Sequence, residues 1–238
     1  MKFVYDKRAY NYPFTAVSLA YFLRYPNRYS LHVLATDVIE RFIDPNTNRL
    51  HSTRLHLKQT KVPSSILKLI PKGSSGSDHS TKSYILETSI VDPTEGWMRT
   101  ESRNLEWTGI LSVVERQLYQ RLRASENAQA RSRNPLYPNS EQTVVHTNVT
   151  LHSSLGEGKF LSHRNYTDRE EEKFRKGFFF STLSPIGIHR AIELISVKRT
   201  RNAISKGAQG MNLVLERLRS GGITCVLEGI RQDRRAVF

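Results

Sequence analysis

Cationic side chains at regular spacings are the residues of this chain that could do chemistry. Arg54, His56 and Lys58 alternate with threonine and leucine in the stretch 53–58. Such alternation is typical of a β-strand, whose successive side chains point to opposite faces. Arg199 and Lys206 lie seven residues apart inside an apolar pattern near the C-terminus. Cations grouped in this way can hold an anion, such as a phosphate group, through charge-assisted hydrogen bonds.

The element that must position Arg199 and Lys206 is a predicted helix over about 186–218, closed by two glycines at 221 and 222. Its apolar stripe comprises Ile188, Ile192, Ile195, Ala203, Gly207, Met211, Val214 and Leu218. The spacing predicts that both cations fall on the buried side of this helix, about 10 Å apart along its axis. Either their stems extend along the apolar surface with the charges in water, or an anion inside the fold pairs with them.

The segment after Lys58 changes from an alternating to a helical pattern. Pro63 is suited to the first position of a helix, and Pro71 and Gly73 end it after about two turns. The apolar residues of this segment are Val62, Ile66, Leu67, Leu69 and Ile70. A helix this short is marginal alone, so the segment is either a mobile lid over an apolar cavity or an ordinary piece of core packing.

The other elements alternate as strands or carry turn signals. Strands are predicted over 2–12, 29–44, 83–91, 97–105, 110–122 and 143–153, with a helix from Pro13 that ends before Pro26. The expected fold class is α+β. An antiparallel sheet wraps around the long C-terminal helix, with an internal cavity and a short helical lid. A largely apolar cavity with a few cations suits a phospholipid.

Composition bounds the domain organisation and the type of partner. The 238 residues are 38% hydrophobic, enough for a core, and carry a formal net charge of +14. We expect a single domain over 1–220, insertions at about 123–142 and 154–185, and a C-terminal tail over 221–238 that contains Cys225. The second insertion includes Phe178, Phe179 and Phe180, to which the sequence assigns no role. The positive charge indicates an anionic partner: a nucleic acid, an anionic membrane or an acidic ligand.

Two other function classes have weaker support. A nucleic-acid binder would fit the charge, but aromatic residues are not interleaved with the basic ones, and no recognised nucleic-acid-binding motif is present. A lipid hydrolase would need a nucleophile or metal motif, and neither Gly-x-Ser-x-Gly nor His-Glu-x-x-His occurs. We therefore expect no enzymatic activity, no cofactor and no metal.

Several segments resemble the PRELI-like family, specifically its fungal Ups branch of phosphatidic acid carriers. The matching segments are 22–27 (FLRYPN) with 29–33, 53–63, 100–113 (TESRNLEWTGILSV) and the helix around Lys206 and Gly210-Met211. Together they cover the expected domain apart from its insertions. In two places the chain departs from the branch: Ala203 replaces an asparagine, and Ser65 replaces a common aromatic residue.

The resemblance implies a non-enzymatic transfer protein that moves phosphatidic acid between the mitochondrial membranes and so supports cardiolipin synthesis. It implies a location in the intermembrane space, peripheral to anionic membranes, and a small helical partner with a twin-cysteine motif. Transfer of phosphatidylserine by the same fold is the alternative. By position, the resemblance implies that the head group is bound by Arg24, His32, Lys58, Lys61, Arg199 and Lys206, under a lid that corresponds to 62–70.

Overall fold

The chain folds as one antiparallel sheet packed against helices on one face. The computed structural model describes residues 1–61, 80–108, 110–122, 141–153 and 185–235. Within these ranges the elements are β1 (Lys2–Tyr10), α1 (Phe14–Leu23), β2 (Val33–Ile43), β3 (Leu50–Lys61), β4 (Ser80–Asp92), β5 (Trp97–Asn104), β6 (Ser112–Leu122), β7 (Gln142–His152) and α2 (Pro185–Arg235). The α+β class is therefore confirmed.

The strand order of the sheet is β1-β7-β6-β5-β4-β3-β2. Each strand from β2 to β7 pairs with the next one in the chain, and β1 pairs with β7. This arrangement confirms the predicted antiparallel meander. The sheet is open, with β1 and β2 as its two edges.

Helix α1 places an apolar face on the sheet. Phe14, Val17, Ala20 and Tyr21 are fully buried, as their spacing predicts. The helix ends at Leu23, ahead of Pro26, because the residue before a proline avoids the helical region. These side chains share a core cluster with residues of the sheet and of α2, including Met98, Tyr119, Met211, Val214 and Leu215.

Helix α2 continues beyond its predicted end. The backbone breaks at Gly221 and Gly222, where φ of Gly222 is 64°, and helical structure then resumes as far as Arg235. Val226 in this second part is completely buried in the core cluster, and Asp233 pairs with Arg217 at 2.9 Å. The segment predicted as a tail thus packs on the domain in its helical part.

The buried line of α2 differs from the predicted stripe. Ile192, Met211 and Val214 are buried as expected, but Ile195 and Ala203 are exposed. Even when Arg199 is counted as a member, the predicted stripe advances on average by more than the 3.6 residues of a helical turn at each step, so the line drifts around the helix. The prediction that Arg199 and Lys206 are buried was therefore wrong, because both side chains are exposed, but both still border a cavity between α2 and the sheet.

Some predicted features fall outside the described residues. They are the lid residues Val62, Ile66, Leu67, Leu69 and Ile70, most of both insertions, and the side chain of Lys61. In the described ranges, no helix has a stretch long and apolar enough to span a bilayer.

Candidate functional site

The cationic row of β3 lies on one face of the strand, as its alternation predicts, and the structure turns this face toward the helices. Arg54 and His56 are almost completely buried, and Lys58 lines a cavity between the sheet and α2. The residues between them are half-buried. Strand β3 therefore directs an arginine, a histidine and a lysine into the interior, where a charge must have a partner.

Glu87 of β4 is the partner of the buried arginines. It lies directly opposite Arg54 in the β3–β4 register. Arg54 donates to Glu87 Oε1 through Nε at 2.8 Å and also through Nη2, while Arg24 Nη2 donates to Glu87 Oε2 at 2.9 Å. His56 Nε2 lies 3.2 Å from Oε2. One carboxylate thus meets two guanidinium groups and an imidazole.

The charges of this cluster do not cancel. Burial alone would raise the pKa of Glu87, but His56, Arg24 and Arg54 outweigh burial and hold that pKa well below its usual value. Burial also lowers the pKa of His56. At neutral pH the cluster therefore contains two guanidinium charges and one carboxylate, which leaves one positive charge in excess.

Arg24 joins this cluster to the cavity. Its guanidinium carbon lies 3.9 Å from the centre of the Tyr21 ring and 4.8 Å from that of Tyr25, distances at which a cation and an aromatic ring attract each other. Arg24 Nε is buried and has no hydrogen-bond partner in the described part of the chain. Since Arg24 also lines the cavity, it can donate to a bound anion.

Asn27 holds the backbone of the corner that follows Arg24. Its Nδ2 donates to the carbonyl of Arg24, and its Oδ1 accepts from the amide of Tyr29 at 2.8 Å. Helix α2 packs on the same side chain at Gly210, where a Cβ atom would lie 2.8 Å from Asn27 Nδ2. The sequence match at 24–27 and at Gly210 therefore corresponds to a packed corner beside the cavity.

The cavity has a volume of about 330 Å³ and lies between α2 and the inner face of the sheet. Five of the six residues predicted for the head group line it: Arg24, His32, Lys58, Arg199 and Lys206. They come from the end of α1, the loop before β2, strand β3 and helix α2. Cations far apart in sequence are thus brought together around one space.

The pKa of His32 indicates that the ring is partly buried and that the cavity is positively charged. Although part of its surface is exposed, His32 is partly desolvated by the cavity wall, and this burial, followed by the nearby charges of Lys58 and Lys206, lowers the pKa of His32 to about 4. The imidazole is consequently neutral near pH 7, when it can still donate or accept one hydrogen bond. The surrounding cations supply the positive charge.

Acidic residues occupy another part of the cavity wall. Asp6 of β1 and Glu115 of β6 line it, together with Arg8. Arg8 Nε donates to Asp6 Oδ2 at 2.7 Å. Among the described residues, the lining therefore contains five Lys or Arg residues and two carboxylates, so positive charge predominates there without being uniform.

A larger groove of about 630 Å³ lies on the outer face of the sheet. Arg99, Glu101 and Arg116 line it, and Tyr5 and Phe42 of the two edge strands border it. No described residue predicted for the head group lines this groove. We assign the candidate site to the smaller inner cavity because the predicted cations converge there.

The sequence patterns alone did not identify Glu87, Asp6, Arg8, Tyr25 or Glu115 as parts of the site. Glu87 had one usable signal: an acid within a strand that pairs with the strand of Arg54. The register between the two strands could not be derived from the sequence, because the 18 residues 62–79 between them are too many to form a tight turn that would set the pairing. Asp6, Arg8 and Glu115 read as ordinary alternating polar positions of β-strands.

Comparison with known sequences adds an independent finding. The model of the PRELI-like family matches residues 15–151. The ups1 homolog of Schizosaccharomyces pombe is 38% identical over 122 residues, and the mitochondrial protein UPS1 of Saccharomyces cerevisiae is 41% identical over 120 residues. The matches cover 51% and 50% of this chain. They span 65% and 64% of those relatives, just under two thirds of their length.

Mammalian and structural matches are weaker. The mitochondrial PRELI domain-containing protein 1 of Homo sapiens is 38% identical over 103 residues, which are 43% of this chain and 44% of that protein. The solved structure of the protein TTHA0849 from Thermus thermophilus covers 90% of this chain, and the match covers 97% of that structure, at 12% identity and a TM-score of 0.41. At these values the structural likeness supports no conclusion about function.

Proposed function

The chain belongs to the PRELI-like family, and we propose that it is a phospholipid transfer protein that binds phosphatidic acid through the cations of the inner cavity. On this proposal it extracts the lipid from one mitochondrial membrane and delivers it to the other, supporting cardiolipin synthesis. The protein binds and releases the lipid without breaking a bond.

The observation that carries the proposal is the convergence of Arg24, Lys58, Arg199 and Lys206 on one cavity. A phosphate monoester bears between one and two negative charges near neutral pH and has three acceptor oxygens. The Nε of Arg24, which is buried and has no partner among the residues that the structure describes, supplies one donor to them, and the lysines and Arg199 supply others. The excess positive charge of the Glu87 cluster favours the same anion.

Apolar residues of the same wall suit the part of the lipid next to the head group. Val145, Ile204, Ala208 and Met211 line the cavity beside the cations. We propose that the acyl chains continue from this apolar wall beneath the segment 62–70, which acts as the lid. When the lipid enters, its phosphate loses bound water and gains hydrogen bonds from charged side chains. Its acyl chains leave the bilayer and contact the protein instead.

The test is transfer of phosphatidic acid between liposomes. Lys58→Glu and Arg199→Glu should each abolish transfer, because each replaces a phosphate donor by a repelling carboxylate. Lys7→Glu makes the same charge change at an exposed position of β1 and should leave transfer unchanged. Circular dichroism and thermal unfolding verify the fold. Normal transfer by both cavity variants would overturn the proposal.

Phosphatidylserine is the second candidate ligand, and Glu115 is the observation that favours it. A carboxylate in the cavity wall could pair with the ammonium group of serine, which phosphatidic acid lacks. Competition between the two lipids for the wild-type protein measures the preference. If phosphatidylserine is preferred, Glu115→Gln should reduce that preference, whereas under the phosphatidic acid proposal it should not weaken transfer.

We further propose a location in the mitochondrial intermembrane space and a small helical partner with a twin-cysteine motif. The names of the Saccharomyces and mammalian relatives include the word mitochondrial, which supports the organelle. The outer-face groove has a larger volume than the inner cavity and offers a partner a site away from it. Fractionation of mitochondria followed by protease protection tests the location, and copurification tests the partner.

A further inference from the structure

Two exposed apolar side chains lie close along the chain to residues that line the cavity. Leu31, which is 43% exposed, lies between Ser30 and His32, and both of these neighbours line the cavity. Ile195, which is 41% exposed, lies four residues before Arg199, one turn away on the same stripe of α2. Two different elements therefore expose an apolar residue at the edge of one cavity.

Exposed cations accompany these apolar residues on both elements. Arg28 is exposed three residues before Leu31, and the exposed face of α2 includes Lys198, Arg199 and Lys206. Acidic residues are missing from the same stretches of sequence. None occurs between Asp6 and Asp37, and none occurs between Glu193 and Glu216.

The nearest acid on α2 does not offset this charge at the surface. Glu193 is almost completely buried and lies 2.6 Å from the amino group of Met1. The edge of the cavity is consequently cationic on the α1–β2 loop and on α2, with isolated aliphatic side chains between the charges. An anionic surface with an apolar layer beneath its charges complements this arrangement.

We propose that Arg28, Leu31, Ile195 and Lys198 form a docking rim that places the cavity against an anionic lipid bilayer. The proposal rests on the proposed function and names the surface through which the lipid enters and leaves. Leu31 and Ile195 insert below the head groups, and Arg28 and Lys198 contact the lipid phosphates. Because the rim adjoins His32 and Arg199, docking brings a lipid head group next to its binding cations.

The chain contains a matched control surface. Ile223 and Leu227, which are 52% and 45% exposed, lie beyond the break of α2, and Arg231 and Arg234 are exposed on the same segment. This surface has the same kinds of residue as the docking rim, but none of its residues lines the cavity. A protein that binds vesicles only through nonspecific apolar and cationic contacts would use both surfaces equally.

The experiment is sedimentation with vesicles of phosphatidylcholine that contain phosphatidic acid. Leu31→Ser/Ile195→Ser should weaken vesicle binding by about tenfold or more, because two aliphatic side chains no longer enter the bilayer. Ile223→Ser/Leu227→Ser should bind vesicles like the wild type. Short-chain phosphatidic acid, kept monomeric in solution, should bind equally to all three proteins, since it reaches the cavity without docking.

A second pair of variants tests the charges. Arg28→Ala/Lys198→Ala should weaken binding to anionic vesicles and reduce its dependence on salt, whereas Arg231→Ala/Arg234→Ala should change neither. Equal losses from the rim and control pairs, or vesicle binding by the rim variants at the wild-type level, would overturn the proposal. Loss of short-chain lipid binding by the rim variants would overturn it too, because those residues would then act in the cavity.

The outcome for the proposed function is separate. If the wild type binds no short-chain phosphatidic acid, the lipid cavity is refuted, while the vesicle comparison still decides whether the docking rim exists. If short-chain lipid binds and the rim variants fail only on vesicles, both proposals are supported.

Discussion

At the scale of single residues, Glu87 determines how much positive charge the interior can hold. Its carboxylate accepts from Arg24 and Arg54, and all three side chains are largely withdrawn from solvent. Each unpaired buried charge costs several kcal/mol. The cluster therefore stabilises the fold only when all of its charged groups are present. Arg24 still has an Nε donor that a ligand in the cavity could use.

Removing the charge of Glu87 should be strongly destabilising. Glu87→Gln leaves two buried guanidinium groups without a counter-ion, and we expect the free energy of unfolding to fall by about 3–5 kcal/mol. Urea denaturation followed by circular dichroism measures it. Glu101→Gln removes the partner of Arg116 on the outer face, where both side chains are exposed, and should cost less than about 1 kcal/mol. Similar losses in the two variants would contradict the role of Glu87.

The lowered pKa of His32 predicts how the stability of the fold depends on pH. Its pKa is about 4 in the fold and 6.5 in the unfolded chain, so between these values only the unfolded chain takes up the proton. Acidification from pH 7 to pH 5 therefore destabilises the fold through His32. His32→Gln should lose less stability over this interval, by about 1 kcal/mol or less because the side chain is partly solvated.

Urea denaturation of His32→Gln and the wild type at both pH values measures this difference. His51→Gln, a substitution in β3 outside the inner cavity, is the control and should retain the wild-type loss. A loss in His32→Gln as large as that of the wild type would show that neither burial nor the charges of Lys58 and Lys206 lower the pKa of His32 in the fold.

At the scale of elements, the contact between α2 and the corner 24–27 fixes the position of the cavity wall. Gly210 lies against Asn27, which is buried and hydrogen-bonded to the backbone on both sides. Arg199 and Lys206 belong to the same helix. The small residue at 210 therefore sets how closely their helix approaches Arg24.

Two glycine substitutions in α2 should have opposite effects. Gly210→Ala places a Cβ atom 2.8 Å from Asn27 Nδ2, and we expect a loss of about 1–3 kcal/mol in stability. The Cβ atom of Gly207→Ala meets no atom of the described residues within 4 Å, and alanine should stabilise the helix by up to about 1 kcal/mol. Thermal unfolding of both variants measures the difference. Equal melting temperatures would mean that α2 does not pack tightly on the corner.

At the scale of the whole molecule, the segment after Gly222 completes the core at the end of α2. Val226 is in the same cluster as Tyr10, Phe14 and Met98, although it lies beyond the expected domain boundary. Gly229 lies under the side chain of Arg217, where a larger residue would collide with the guanidinium group. The segment therefore belongs to the folded unit.

Truncation of a side chain in this segment should reveal its contribution. Val226→Ala removes two methyl groups from a fully buried position and should lower the free energy of unfolding by roughly 2 kcal/mol. Leu227→Ala, at the adjacent exposed position, should change it by less than about 0.5 kcal/mol. Chemical denaturation distinguishes the two. A neutral Val226→Ala would indicate that the segment is dispensable for the core.

Local patterns in the sequence determined much of the fold and the grouping of one row of cations. Alternation in β3 was sufficient to place Arg54, His56 and Lys58 on one face, because a strand has only two faces. It did not determine which face packs on the helices, since leucine side chains occupy the other face. Turn residues and proline positions predicted the meander and the end of α1, since they act through their immediate neighbours. The family resemblance identified Arg24 and His32, for which no periodicity gave a reason.

Only the tertiary structure decided which charges meet. The pairing of Arg54 with Glu87, the contact of Gly210 with Asn27 and the burial of Val226 each join residues that are distant in sequence. The exposure of Arg199 and Lys206 also depended on it, because a small error in helical period accumulates along α2 and moves the predicted stripe away from the buried face. A sequence specifies such contacts only through the register and packing angle of whole elements, and these are set when the elements assemble.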